Sequence, residues 1–202
     1  MSTLWKIYRW KLFFAATLLH MLLYLAGLFL SFYSHDAYET FYGYSRIYSL
    51  LLNFFIIISV AQMLQYWGEP ARITSIVYIY AFAITIMALV ALKGSTLFIS
   101  FSAALLLILY STFCLLGVKA PEVSTRFKSI AGYNILSAVL TFCRLLFPGT
   151  HSLFHSLNFY LLHSIVIFCP YVLILLILYK MMHLPEYYSQ LQKEIDSIGE
   201  MV

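Results

Sequence analysis

The stretch Leu97–Val118 reads LFISFSAALLLILYSTFCLLGV, 22 residues without one charged side chain. About 20 apolar residues wound as a helix cover the roughly 30 Å of hydrocarbon in a bilayer. A backbone in hydrocarbon has no water to bond to, so its N–H and C=O groups must pair within the segment or in a closed barrel. The run lacks the polar–apolar alternation of a barrel strand, and a membrane-spanning helix is the expectation.

Five further runs follow the same logic on either side: Leu12–Phe32, Ile47–Tyr66, Ile73–Leu92, Ile130–Phe147 and Phe159–Met181. The fifth span, Ile130–Phe147, is the shortest at 18 residues. The whole chain of 202 residues is 63% hydrophobic and 10% charged, with a mean hydropathy of +0.89. Such a composition excludes a disordered or nucleic-acid-binding chain, and it holds more apolar side chain than a water-soluble core of this length can hide. The sequence therefore predicts an all-α, polytopic integral membrane protein. Its six-helix transmembrane bundle has short loops and forms one membrane domain over residues 1–183. A short amphipathic tail follows over residues 184–202. The first run is too long for a signal-peptide core and is expected to be retained.

Charge sets the expected orientation. Six spans place both ends on one side, and that side holds Lys6, Arg9, Lys11, Arg72, Lys119, Arg126, Lys128, Lys180 and Lys193. The other side holds Arg46, Lys93 and Arg144. Basic residues favour the cytoplasmic side, so both termini are expected to face the cytoplasm or its equivalent. Tyr33, Tyr38, Phe41, Tyr42, Tyr44 and Tyr48 then crowd the outer interface, in what reads as the first outer loop, where amphipathic rings prefer to sit. Gly68-Glu69-Pro70, Lys119-Ala120-Pro121 and Pro148-Gly149 read as helix stops.

The chemistry missing from the spans narrows the function. All eight carboxylates (Asp36, Glu39, Glu69, Glu122, Glu186, Glu194, Asp196 and Glu200) lie outside the runs. An acid inside a membrane usually marks a proton or ion pathway, so a proton-coupled carrier, an intramembrane aspartyl protease and a carboxylate-lined channel are disfavoured. No Gly-x-Ser-x-Gly elbow, P-loop or dinucleotide glycine pattern occurs. Cys114, Cys143 and Cys169 lie in apolar runs without a CxxC pair and read as small buried hydrophobes.

The polar residues that do enter the spans give the candidate sites. Asn53, Arg144 and His163 are each expected near the outer face, where they form a candidate ligand pocket. His20 is expected nearer the middle of its helix. His151 and His155, four residues apart, stack on one face of a helix and are the candidate ligands of a Zn-like ion, with His35, Asp36 or Glu39 to complete the set. The pair lacks the intervening Glu of a zincin and so brings no general base. A heme between His20 and His163 is disfavoured because their depths differ by about 12 Å. No cofactor is expected beyond that metal reading. In the tail, Leu191, Ile195 and Ile198 share one helical face and are candidate partner-docking residues.

Three functional expectations follow. The first is a non-enzymatic accessory, structural or assembly subunit of a larger membrane complex. The second is a binder or carrier of a lipid or apolar small molecule through the outward pocket. The third is a metal-dependent membrane enzyme built on His151 and His155. Expected partners are membrane lipids and other membrane protein subunits, with no nucleic acid.

Overall fold

A computed structural model describes residues 3–91, 96–146 and 157–183. Among these it contains six long helices and no strand: α1 (Thr3–Tyr33), α2 (His35–Tyr66), α3 (Ala71–Ala91), α4 (Thr96–Phe113), α5 (Ser124–Leu146) and α6 (Leu157–Met182). All six are long and apolar enough to cross a membrane, which is consistent with an integral multi-pass membrane protein. His151, His155, Leu191, Ile195 and Ile198 lie outside the described residues.

Several side-chain hydroxyls inside the spans are satisfied on their own helices. Thr17 donates to the Phe13 carbonyl at 2.8 Å, Ser59 to Ile56 at 2.7 Å, Thr85 to Ala81 at 2.7 Å and Thr141 to Ser137 at 2.9 Å. Back-bonding of this kind lets a small hydroxyl sit in hydrocarbon without a partner from another helix.

The expected loop over residues 33–46 is instead helix. One residue, Ser34, separates α1 from α2 in an extended conformation (φ −157°, ψ 124°), and its Oγ accepts the Ala37 N–H at 3.3 Å. Asp36 in the first turn adds a negative charge where the helix dipole favours one. With 32 residues, α2 is about 48 Å long, well beyond the roughly 30 Å of hydrocarbon. Of the tyrosines read as interfacial loop, Tyr33 ends α1, and Tyr38, Tyr42, Tyr44 and Tyr48 are carried on the first four turns of α2. The fourth run also departs from expectation. Helix α4 stops at Phe113, and Leu115–Gly117 form one 3-10 turn before the chain enters the next link. Conversely, α5 starts at Ser124 and is 23 residues long, because helical hydrogen bonding continues through polar residues that the apolar run excludes.

The α2–α3 turn is specified by glycine. Gly68 has φ +72°, a left-handed conformation that costs other residues roughly 1–2 kcal/mol. The Glu69 N–H donates to the Leu64 carbonyl at 3.0 Å and the Gly68 N–H to Gln65 at 3.1 Å, which together form a Schellman motif. Pro70 then supplies a carbonyl to the N–H groups of Ile73 and Thr74 as α3 begins.

Each helix packs chiefly on its neighbours in sequence, and α6 closes the ring against α1. The two ends of this bundle differ. At the end marked by Glu69, Trp10, Phe13, Met63, Leu64, Leu115, Phe127, Leu178 and Met181 belong to one buried cluster. That cluster draws on the start of α1, α3 and α5 and the end of α2, α4 and α6, so the start of α1 and the end of α6 share this end. Toward the opposite end, marked by Ser34, none of the described residues belongs to that cluster, and a space opens between α1, α2 and α6.

Candidate functional site

The space is a cavity of about 380 Å³ between α1, α2 and α6. Helical periodicity aims its lining. His20, Tyr24 and Gly27 follow at spacings of four and three on α1, and Tyr38, Tyr42, Ser45, Ser49 and Asn53 do so on α2. Tyr160 and Tyr171 contribute from α6. Gly27 makes room: a Cβ there would already touch the Phe41 ring at 3.5 Å. One turn on along α1, the Ser31 hydroxyl lies 3.5 Å from that of Tyr160.

The floor of the cavity is a band of neutral polar groups at mid-bundle. Ser49 Oγ lies 3.3 Å from His20 Nδ1. The His20 ring packs on the Tyr171 ring with centroids 4.8 Å apart, and the Tyr171 hydroxyl donates to Asn53 Oδ1 at 3.3 Å. One connected set of side chains thus joins α1, α2 and α6. The walls above it are aromatic: Tyr24, Tyr38, Phe41, Tyr42 and Tyr160. Arg46 stands nearer the Ser34 end, its guanidinium 5.6 Å from the Tyr42 ring centroid, about 10 Å along α2 from Asn53.

This arrangement suits binding better than catalysis. Ser49 and His20 sit at the distance of a nucleophile and its base, but no carboxylate among the lining residues orients the imidazole. Both residues lie inside helices whose N–H groups are already engaged, so the backbone offers nothing to hold an oxyanion. Among the described residues no group of three or more His, Cys, Asp or Glu is placed to hold a metal ion.

The residues singled out from sequence fall in two places. Asn53 lines the cavity, at mid-bundle rather than near one face. Arg144 and His163 are brought near one another at the α5–α6 contact. His163 Nε2 is buried there without a partner, and Arg144 is exposed. Neither lines the cavity. The reason is helical phase: Tyr160, Ser164 and Tyr171 share a face of α6, and His163 is turned about 100° from Ser164. His20 meets Tyr171, eight residues from His163 on α6, consistent with the difference in depth read from the sequence.

Tyr171, Ser49 and Gly27 were not legible as site residues, since tyrosine and glycine count toward an apolar run and Ser49 precedes three leucines. Their signal was the shared face, with His20, Tyr24 and Gly27 on α1 and Arg46, Ser49 and Asn53 on α2.

Comparison with known proteins adds no relative: no family model, curated protein or solved structure matches this chain.

Proposed function

We propose that this protein binds a lipid or another small, largely apolar molecule carrying a hydrogen-bonding group, and that the cavity between α1, α2 and α6 is its site. The carrying observation is the cavity itself. About 380 Å³ lies within the size range of small-molecule pockets. Aromatic walls over a neutral polar floor form the usual pattern of such pockets, with apolar area for affinity and a few placed polar groups for orientation. The core cluster closes the Glu69 end of the bundle, and the lining reaches Tyr38 near the Ser34 end, the proposed side of entry.

The accessory-subunit reading rests on exposed apolar side chains such as Phe29, Ile79 and Phe98. Lipid contact demands the same side chains, so they do not favour a protein neighbour. The metal-enzyme reading rests on His151 and His155, which lie outside the described residues.

Native mass spectrometry of the protein purified in mild detergent tests the proposal. A retained molecule of constant mass is expected, and it should be lost from Gly27→Leu, whose side chain would project into the cavity. Absence of any retained lipid or small molecule, or equal retention by Gly27→Leu, would contradict it.

A further inference from the structure

Behind the polar floor lies a second, smaller cavity of about 150 Å³. It is lined by Ile56, Val60, Leu107, Phe127, Ile130 and Ile174 among its apolar groups, and by Asn134, Ser137, Tyr80 and Tyr110 among its polar ones. Asn53 and Tyr171 line both cavities. The two spaces are therefore stacked along the bundle, and the pair joined by the 3.3 Å hydrogen bond from the Tyr171 hydroxyl to Asn53 Oδ1 stands between them.

We infer that this pair is a door, and that the second cavity is an inner compartment that receives the uncharged, hydrogen-bonding end of the molecule bound in the larger one. The inference rests on the binding function proposed above. Three observations carry it. First, the partition is one neutral hydrogen bond between two helices, of the kind that contributes little net stability and is replaceable by a ligand's own hydroxyl, carbonyl or amide. Second, the residue before Tyr171 is Pro170, which also lines the inner space. Proline has no N–H for the Val166 carbonyl, so α6 is least constrained where the door is hung. Third, none of the residues lining the inner cavity is Asp, Glu, Lys, Arg or His. A carboxylate or phosphate entering it would lose its hydration without a countercharge, while Asn134, Ser137 and the tyrosine hydroxyls offer neutral partners. The ligand class is thereby narrowed to a lipid-soluble alcohol, ketone or amide, its polar end no larger than about five water volumes.

Thiol accessibility tests the door without knowledge of the ligand. In a background with Cys114→Ala, Cys143→Ala and Cys169→Ala, a probe thiol is placed in the inner cavity by Ser137→Cys and, separately, in the larger cavity by Ser45→Cys. Neutral methyl methanethiosulfonate should modify the Ser45→Cys protein readily and the Ser137→Cys protein slowly. Adding Tyr171→Phe, which keeps the ring and removes only the hydroxyl, should speed the inner reaction on the order of five-fold. Asn53→Ala, the alternative should Tyr171→Phe fold poorly, should do the same. The anionic sulfonatoethyl reagent should fail at the inner thiol in every variant. An inner thiol that reacts as fast in the parent as in the door variants, or no faster in either variant, overturns the door. Modification by the anionic reagent overturns the restriction to uncharged groups. All three results leave the larger cavity's binding role standing, because that role is read separately from ligand retention.

Discussion

Glu69 Oε1 accepts the backbone N–H of Ala120 at 2.8 Å, 51 residues along the chain. The same oxygen accepts the Lys119 N–H at 2.7 Å. A carboxylate from the α2–α3 turn thus holds the link between α4 and α5, where the chain leaves its 3-10 turn with free N–H groups. Glu69 is 9% exposed, so water competes poorly for these bonds. Glu69→Ala strands both donors and should lower stability by about 2–6 kcal/mol, given roughly 1–3 kcal/mol for each buried unsatisfied group. Glu69→Gln keeps an acceptor and should lose about half as much. Thermal unfolding in detergent reads the difference; equal melting temperatures for all three proteins would remove the latch from the account.

Gly68 sits one residue earlier in the same turn with φ +72°. A Cβ there meets nothing within 4 Å, so the expected penalty is conformational rather than steric. Gly68→Ala should cost about 1–2 kcal/mol, and Gly68→Val more, since a β-branched residue resists left-handed backbone further. The same thermal unfolding measures both.

Gly27 is the opposite case. It lies inside α1 at ordinary backbone angles, and a Cβ would touch only Phe41, at 3.5 Å. Gly27→Ala should therefore leave the bundle folded and stabilise it by up to about 1 kcal/mol through helix propensity, with ligand retention kept. A melting temperature lowered by this change would show that Phe41 cannot tolerate the contact.

Tyr80 and Tyr110 stack with ring centroids 4.2 Å apart and planes 2° from parallel, joining α3 to α4 beside the inner cavity. Tyr110 is 6% exposed. Tyr110→Ala should cost about 3–5 kcal/mol, in line with other buried aromatic truncations, and Tyr110→Phe far less. Chemical denaturation of the two variants decides whether the ring or the hydroxyl matters.

The pair between Lys180 and Glu122 is expected to be almost silent. Its atoms are 3.1 Å apart, but the side chains are 37% and 56% exposed. Water screens such a pair, and Glu122→Gln should change stability by about 1 kcal/mol or less. A larger loss, measured by the same denaturation, would mean the link is buried by something beyond the chain.

How far the sequence could be read depended on the kind of signal. Hydrophobic length found the six spans because bilayer thickness imposes one physical requirement on all of them. It misjudged their ends, since a helix is bounded by hydrogen bonding rather than hydropathy: Ser34 caps α2 well before the apolar run at Ile47, and Ser124 starts α5 six residues before Ile130. Polarity inside a span picked out His20 and Asn53 one by one. It was silent on which helix faces meet, so Arg144 and His163 were grouped with Asn53 although the twist of α5 and α6 takes them elsewhere. Tyr171 was hidden by its own chemistry, because an aromatic ring reads as oil while its hydroxyl makes the bond that divides the two cavities.

The closure of α6 on α1 has a consequence for biosynthesis. The first span carries His20, but the ring that packs against it arrives with the last span, some 150 residues later. Until translation reaches Tyr171, His20 and Asn53 lack the α6 partner they have in the complete bundle. A chain ending before Leu157 would leave both polar side chains without it.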